Sequence, residues 1–170
     1  MAARDRLLAA LAAASLLATA MASTAVPDVR LAGHGQRARL QALRANHPAI
    51  VVFWRSDCVP CREELQKLPA LRRQARPLRL MLVAVESAQE SRGSGPSAAK
   101  LLAADDSWRA LDDPARTLAD FGGRPPRLPL SVLLDGEGVV RARRHGELGP
   151  LLVREWRRCA EGASQRCVIQ

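Results

Sequence analysis

Four cysteines, Cys58, Cys61, Cys159 and Cys167, are the residues of this chain best suited to chemistry. The first two stand two residues apart in AIVVFWRSDCVPCREE (49–64). A Cys-x-x-Cys pair can hold half of a zinc site, close a structural disulfide, or exchange electrons. Zinc needs four ligands, typically from a second Cys or His pair. His34, His47 and His145 have no ligand spacing relative to Cys58, and Cys159 and Cys167 do not repeat the two-residue spacing. A structural 58–61 bond would close a very small loop, and the entropy a crosslink removes from the unfolded chain falls with loop size. Electron exchange is the favoured reading, because it has a mechanism. An apolar strand gives way to a helix at Cys58, where unpaired backbone N–H groups and the macrodipole favour a thiolate. Cys61, one turn in, is more sheltered and can resolve a mixed disulfide. Pro60 suits an early helical position, where its missing N–H costs little.

The elements that must position this pair follow from periodicity. AIVVFW (49–54) is a continuous β-branched and aromatic run, expected as a strand buried on both faces. Leu65, Leu68 and Leu71 recur at helical spacing, so 59–75 is expected as a helix bent near Pro69. LRLMLVAV (78–85) reads as a second buried strand and SAQESRGSGPS (87–97) as a surface loop. Upstream, 38–46 reads as a short helix ended by His47-Pro48. Downstream, a helical insert at 98–106 and a short strand at 108–111 are expected. A helix follows at PARTLADF, capped by Asp112 or Asp113 and stopped by Gly122-Gly123. RPPRLP (124–129) is a rigid loop. SVLLD (131–135) and VVRARR (139–144) form an antiparallel hairpin. Pro150 opens a last helix with Leu151, Leu152 and Trp156 on one side. The order is β–α–β, then α, then β–β–α.

Length and composition bound the rest. The 170 residues suit one domain plus a removable leader. Aromatic content of 3%, with no Tyr, leaves a core of Leu, Val and Ala. Residues 1–22 combine Arg4 and Arg6, a small-residue apolar stretch and the exit Ala20-Met21-Ala22, and read as a signal peptide. Cleavage after Ala25 competes, and an uncleaved membrane anchor is the alternative. Residues 23–37 read as an N-terminal tail with a short strand at VRLA, and 38–170 as the domain. The net charge of +9 comes from scattered arginines, since only Lys67 and Lys100 among the 26 basic residues are lysines. No nucleic-acid motif accompanies them. They read as a solvated surface, with a basic face that steers acidic partners as the alternative. Cys159 and Cys167 are expected to form a structural disulfide, with a relay to the first pair or free thiols as alternatives. His145 reads as a surface residue.

VVFWRSDCVPCREEL resembles the active-site segment of the thioredoxin superfamily, in its TlpA/ResA-like branch of exported thiol–disulfide oxidoreductases. That segment has the form V-x-F-W-x-x-x-C-x-P-C-x-x-E, matched by Val51, Phe53, Trp54, Cys58, Pro60, Cys61 and Glu64. PLSVLLDGEGVV resembles the same family's strand-turn segment through Pro129, Asp135 and Gly138. The resemblance spans residues 31–158. It implies a thioredoxin-like α/β fold: a central mixed β-sheet flanked by helices, with a helical insert before the cis-proline strand. It implies that Pro129 is cis and faces the cysteines, while Leu128 offers backbone hydrogen bonds to substrate. The function implied is reduction of particular exported disulfides, of the cytochrome c or copper-site maturation type. Cys58 attacks and Cys61 resolves, with Trp54, Asp57, Pro60, Glu64, Leu128 and Pro129 in support. No cofactor beyond the Cys58–Cys61 disulfide and no metal is expected. Partners are exported proteins and a membrane electron donor, not nucleic acid, and the location is periplasmic or otherwise extracytoplasmic. The alternatives are a disulfide-forming oxidase of the same fold and a metal-binding chaperone using the same thiols.

Three departures from the family pattern stand out. Asp57 occupies a position where many members carry Trp, and a carboxylate there disfavours a thiolate unless Arg55 or Arg62 offsets it. Val52 stands where thioredoxin has a buried acid, so Glu64 becomes the titratable neighbour of the pair, unless it is a solvated helix residue. The family proline five residues after the second cysteine is Gln66.

Overall fold

A computed structural model describes residues 27–87, 89–90, 106–122, 124–125 and 127–162. The signal-peptide expectation at 1–22, the helical insert at 98–106 up to residue 105, and Cys167 lie outside the described residues. In chain order the elements are β1 (Arg30–Gly33), β2 (Gln36–Arg39), α1 (Leu40–Arg44), β3 (Ala49–Trp54), α2 (Val59–Gln66) and α3 (Leu68–Ala75). They continue as β4 (Arg79–Ala84), β5 (Ser107–Ala110), α4 (Pro114–Asp120), β6 (Leu130–Leu134), β7 (Val140–His145) and α5 (Pro150–Ala160).

The strands form one mixed sheet in the order β2-β1-β5-β4-β3-β6-β7. β3 lies near its middle, parallel to β4 and antiparallel to β6, and all six of its residues are buried. Alternation divides them between two cores. Ile50, Val52 and Trp54 meet Leu65, Leu68, Leu71, Val153 and Trp156 of α2, α3 and α5. Val51 and Phe53 meet Leu31, Leu40, Leu118 and Phe121 on the other face. Helices therefore cover both faces, which is why β3, and β4 after its first residue Arg79, are apolar at every position rather than at alternate ones.

Several expectations need correction. The short strand expected at VRLA forms as β1 (Arg30–Gly33), but residues 30–39 fold into a hairpin rather than a tail. β1 and β2 form a hairpin through His34 and Gly35, both at positive φ, and β1 pairs with β5 at the sheet edge. Asp112, a proposed helix cap, instead takes the Arg30 backbone N–H and guanidinium at 2.9 and 2.8 Å; Asp113 caps α4 through the Arg116 N–H. The hairpin uses residues up to Arg39, so α1 is shorter than 38–46. The 59–75 helix breaks at Lys67, ahead of Pro69, because a proline ring clashes with the carbonyl four residues earlier. On α5 the inward residues are Val153 and Trp156, while Leu151 is 74% exposed.

Arg44 contradicts the reading of the arginines as a solvated surface. It is 1% exposed and donates to the carbonyls of His47 and Asp135, both at 2.6 Å, tying the end of α1 to the β6–β7 turn. Gly138 in that turn has φ +87°, and a Cβ there would lie 2.6 Å from Arg44 Nη2. Its place in the strand-turn motif thus has a steric cause.

Candidate active site

The C-terminal end of β3 delivers the chain to the cysteines. Val85 N–H donates to Trp54 C=O at 2.9 Å, carrying the β3–β4 register one step past the strands. Trp54 is fully buried beside Cys61 in one core. Arg55, Ser56 and Asp57 then form a turn, closed by Cys58 N–H donating to Arg55 C=O at 3.3 Å. Two further contacts hold Ser56. The Glu86 carboxylate accepts its backbone N–H at 2.8 Å and its hydroxyl at 2.6 Å, and Arg62 donates to its carbonyl at 3.1 Å.

Cys58 is the N-cap of α2, in extended backbone, and its Sγ accepts the Cys61 N–H at 3.3 Å. The expected strand-to-helix handover is thus built, with Pro60 in the first turn of α2. Cys58 and Cys61 are joined in a disulfide, their Cα atoms 5.2 Å apart. Cys58 is half-buried at the surface and Cys61 is fully buried. One sulfur can meet another protein; the other is reachable only through the first.

Glu64 lies one turn beyond Cys61 on α2, at the spacing that places helix neighbours side by side. It is 3% exposed, so the reading as a solvated helix residue fails. Neither carboxylate oxygen has a hydrogen-bond partner. Burial pushes this carboxyl up to about 7. The Leu148 amide draws it back down, from outside hydrogen-bonding geometry since neither oxygen is partnered; Glu147 raises it and Lys67 lowers it. A buried carboxyl that titrates near neutrality can take up or release a proton at working pH.

Asp57 is exposed and faces Arg55, whose Nε and Nη2 donate to its two oxygens at 3.0 and 3.3 Å. The Arg55 hydrogen bond is the main cause holding the Asp57 carboxyl below its ordinary value. Leu128–Pro129 is a cis peptide, as the resemblance implies. Its loop is fastened to the end of the β6–β7 hairpin: Gly146 N–H donates to Pro129 C=O at 2.9 Å, and His145 Nδ1–H to Arg127 C=O at 3.1 Å. Leu128 packs against both cores, and Cys58 against the one that holds Trp54 and Cys61.

Glu86 and Ser56 escaped sequence reasoning. The available signal was an acid following directly on the buried run LMLVAV, where a carboxylate needs a partner at the same end of the sheet. Cys159 packs against the α2–α3–α5 core, but the expected bond to Cys167 lies outside the described residues. No group of three or more His, Cys, Asp or Glu among the described residues is placed to hold a metal ion. A cavity of about 580 Å³, lined by Leu43, His47, Arg72, Arg76 and Arg79 among others, opens near the start of β3 and β4, at the far end of the sheet from the cysteines.

The sheet, the cis-proline loop and the capped cysteine pair define a thioredoxin-like oxidoreductase. Residues 22–143 match the AhpC/TSA family, and the chain belongs to that family. Among solved structures it is similar to a putative thiol:disulfide interchange protein DsbE from Chlorobium tepidum, at 22% identity and a TM-score of 0.59, covering 81% of this chain and 94% of that one. StoA from Bacillus subtilis is similar at 19% identity and 0.57, covering 78% and 98%. A secreted Mycobacterium tuberculosis disulfide oxidoreductase is similar at 15% identity and 0.51, covering 69% and 85%. No curated protein matches the chain. Among the described residues no helix is long and apolar enough to cross a membrane.

Proposed function

We propose that this chain is an extracytoplasmic reductase of particular exported protein disulfides, of the kind used in cytochrome c or copper-site maturation. The observation that carries the reading is the buried, unpartnered Glu64 one turn beyond a buried Cys61, with Cys58 at the surface. In the reduced protein the Cys58 thiolate attacks one sulfur of a substrate disulfide, and the other substrate sulfur leaves as a thiolate. Glu64 takes the Cys61 proton, and the Cys61 thiolate attacks Cys58 Sγ. The second substrate thiolate leaves and the Cys58–Cys61 disulfide remains, two electrons having passed to the substrate. The Leu128 carbonyl and amide, set by the cis bond to Pro129, bind the substrate backbone, and Trp54 packs behind the pair. A membrane thiol donor returns the two electrons. Support for an exported setting comes from the leader-like residues 1–22 and from the secreted neighbour of similar fold.

Insulin reduction with dithiothreitol tests the chemistry: wild type turns over and Cys58→Ser does not. Absent turnover together with stoichiometric Cu(I) binding would sink the enzyme reading in favour of a chaperone. The reduction potential of the Cys58–Cys61 couple tests direction. A value near about −270 mV fits a reductase, and one near about −120 mV fits an oxidase.

A further inference from the structure

Asp57 directly precedes the half-buried Cys58, where a helix N-terminus otherwise favours negative charge on sulfur. An unpaired carboxylate at that place opposes the thiolate. Both Asp57 oxygens, however, are taken by one guanidinium, through Arg55 Nε and Nη2. Arg55 is anchored from a second direction, since its Nη2 also donates to Glu90 at 3.0 Å. Glu90 in turn accepts the Ser87 N–H at 2.6 Å, and its own N–H donates to Ser87 Oγ at 3.2 Å. The segment after β4 therefore holds Arg55, and Arg55 holds Asp57.

We propose that Arg55 is a positioning residue for the attacking cysteine: it pins the Asp57 carboxylate in a two-point ion pair, so that an acid beside Cys58 does not suppress the thiolate. The proposal rests on Cys58 being the attacking sulfur. Among the described residues, other charged or titratable groups around this end of the sheet include Arg62, Glu63, Glu64 and Lys67 along and after α2, Glu86 after β4, and Arg127, His145 and Glu147 beside the cis-proline loop. None is altered in the variants below, so differences among them report the Arg55–Asp57 pair.

The experiment is the pH dependence of iodoacetamide alkylation of the reduced full-length protein, with the modified cysteine identified by mass spectrometry. Arg55→Ala leaves Asp57 uncompensated. Its Cys58 midpoint rises and alkylation at pH 7 slows about 3- to 10-fold. Arg55→Ala/Asp57→Asn returns to within about 2-fold of wild type, because the residual charge is removed with its shield. Asp57→Asn alone moves in the opposite direction, to a lower midpoint, because the carboxylate next to the sulfur is removed while the Arg55 guanidinium stays. Arg55→Lys keeps most of the wild-type behaviour, and 1 M NaCl narrows the gap between Arg55→Ala and wild type, since screening there acts over about 3 Å. An Arg55→Ala protein with native circular dichroism and an unchanged midpoint overturns the proposal, as does a double variant that stays slow. Alkylation of Cys61 ahead of Cys58 in wild type overturns the assignment of the attacking sulfur itself, a failure visible before any Arg55 variant is made.

Discussion

Glu64 and Glu86 are both buried, at 3% and 2% exposure, and both lie close in sequence or in space to the residues that carry the cysteines. Their surroundings differ. Glu86 accepts the N–H and the hydroxyl of Ser56 and so fixes the turn that leads into Cys58. Glu64 has no donor in hydrogen-bonding geometry, only the Leu148 amide nearby, and burial pushes its carboxyl up to about 7. A buried carboxylate with strong donors becomes part of the scaffold, because its lone pairs are spent on holding a neighbour. One without donors keeps a proton that it can exchange. The same side chain thus fixes the turn before the first cysteine in one place and, in the proposed mechanism, takes the proton of the second in the other.

The largest effect that separates the two is on stability against pH. The Glu64 carboxyl binds its proton up to about pH 7 in the folded chain but only to its ordinary 4.5 when unfolded. Between those values the folded state holds more protons, so the contribution is fully present below 4.5 and is lost as pH rises through 7. The loss is on the order of 3 kcal/mol. Urea melts of wild type and Glu64→Gln across that window should diverge by this amount, and parallel curves would show that Glu64 is not the titrating group. Glu86→Ala comes next. It deprives two Ser56 donors of a charged acceptor and should cost about 2 kcal/mol in the same melts, with Glu86→Gln retaining part of it. A loss below about 0.5 kcal/mol would put Glu86 on the same footing as an ordinary surface residue. Third, Glu64→Gln should slow resolution of a Cys58 mixed disulfide about 10-fold at pH 7 in stopped-flow. That is less than general acid–base catalysis commonly contributes, because a thiol ionises partly without help. The smallest effect sharpens the contrast. Glu147→Gln should lower the Glu64 midpoint by a few tenths of a pH unit, followed by carboxyl-carbon NMR, because Glu147 raises it.

Much of the fold was legible because burial on two faces leaves a mark on local sequence. AIVVFW is apolar at every position and LRLMLVAV at every position but Arg79, and both form the paired central strands. The strand-to-helix handover at Cys58 was legible from the change of period, and the β6–β7 hairpin from its Gly-Glu-Gly turn. Of the N-terminal hairpin only the first strand, at VRLA, was. Its strands are short and rich in Gln and Arg, and its place at the sheet edge depends on pairing with β5 and on Arg30 meeting Asp112, 82 residues away. Such contacts leave no local pattern. Arg44 was misjudged for the same reason, since its burial depends on carbonyls from the distant turn at Asp135 and from His47.

The sequence by itself determined which atoms can exchange electrons and the element on which they sit. Two cysteines at that spacing, behind an apolar strand and with proline between them, place one sulfur at a helix N-terminus and the other one turn inside. Tertiary structure alone decided how the neighbouring acids behave. Whether Glu64 is solvated or titrates near 7, whether Asp57 opposes Cys58 or is held by Arg55, and whether Glu86 is bonded all depend on what packs around each carboxylate. The energy of a charge is set by its surroundings within a few ångströms, and those come from segments remote in the chain.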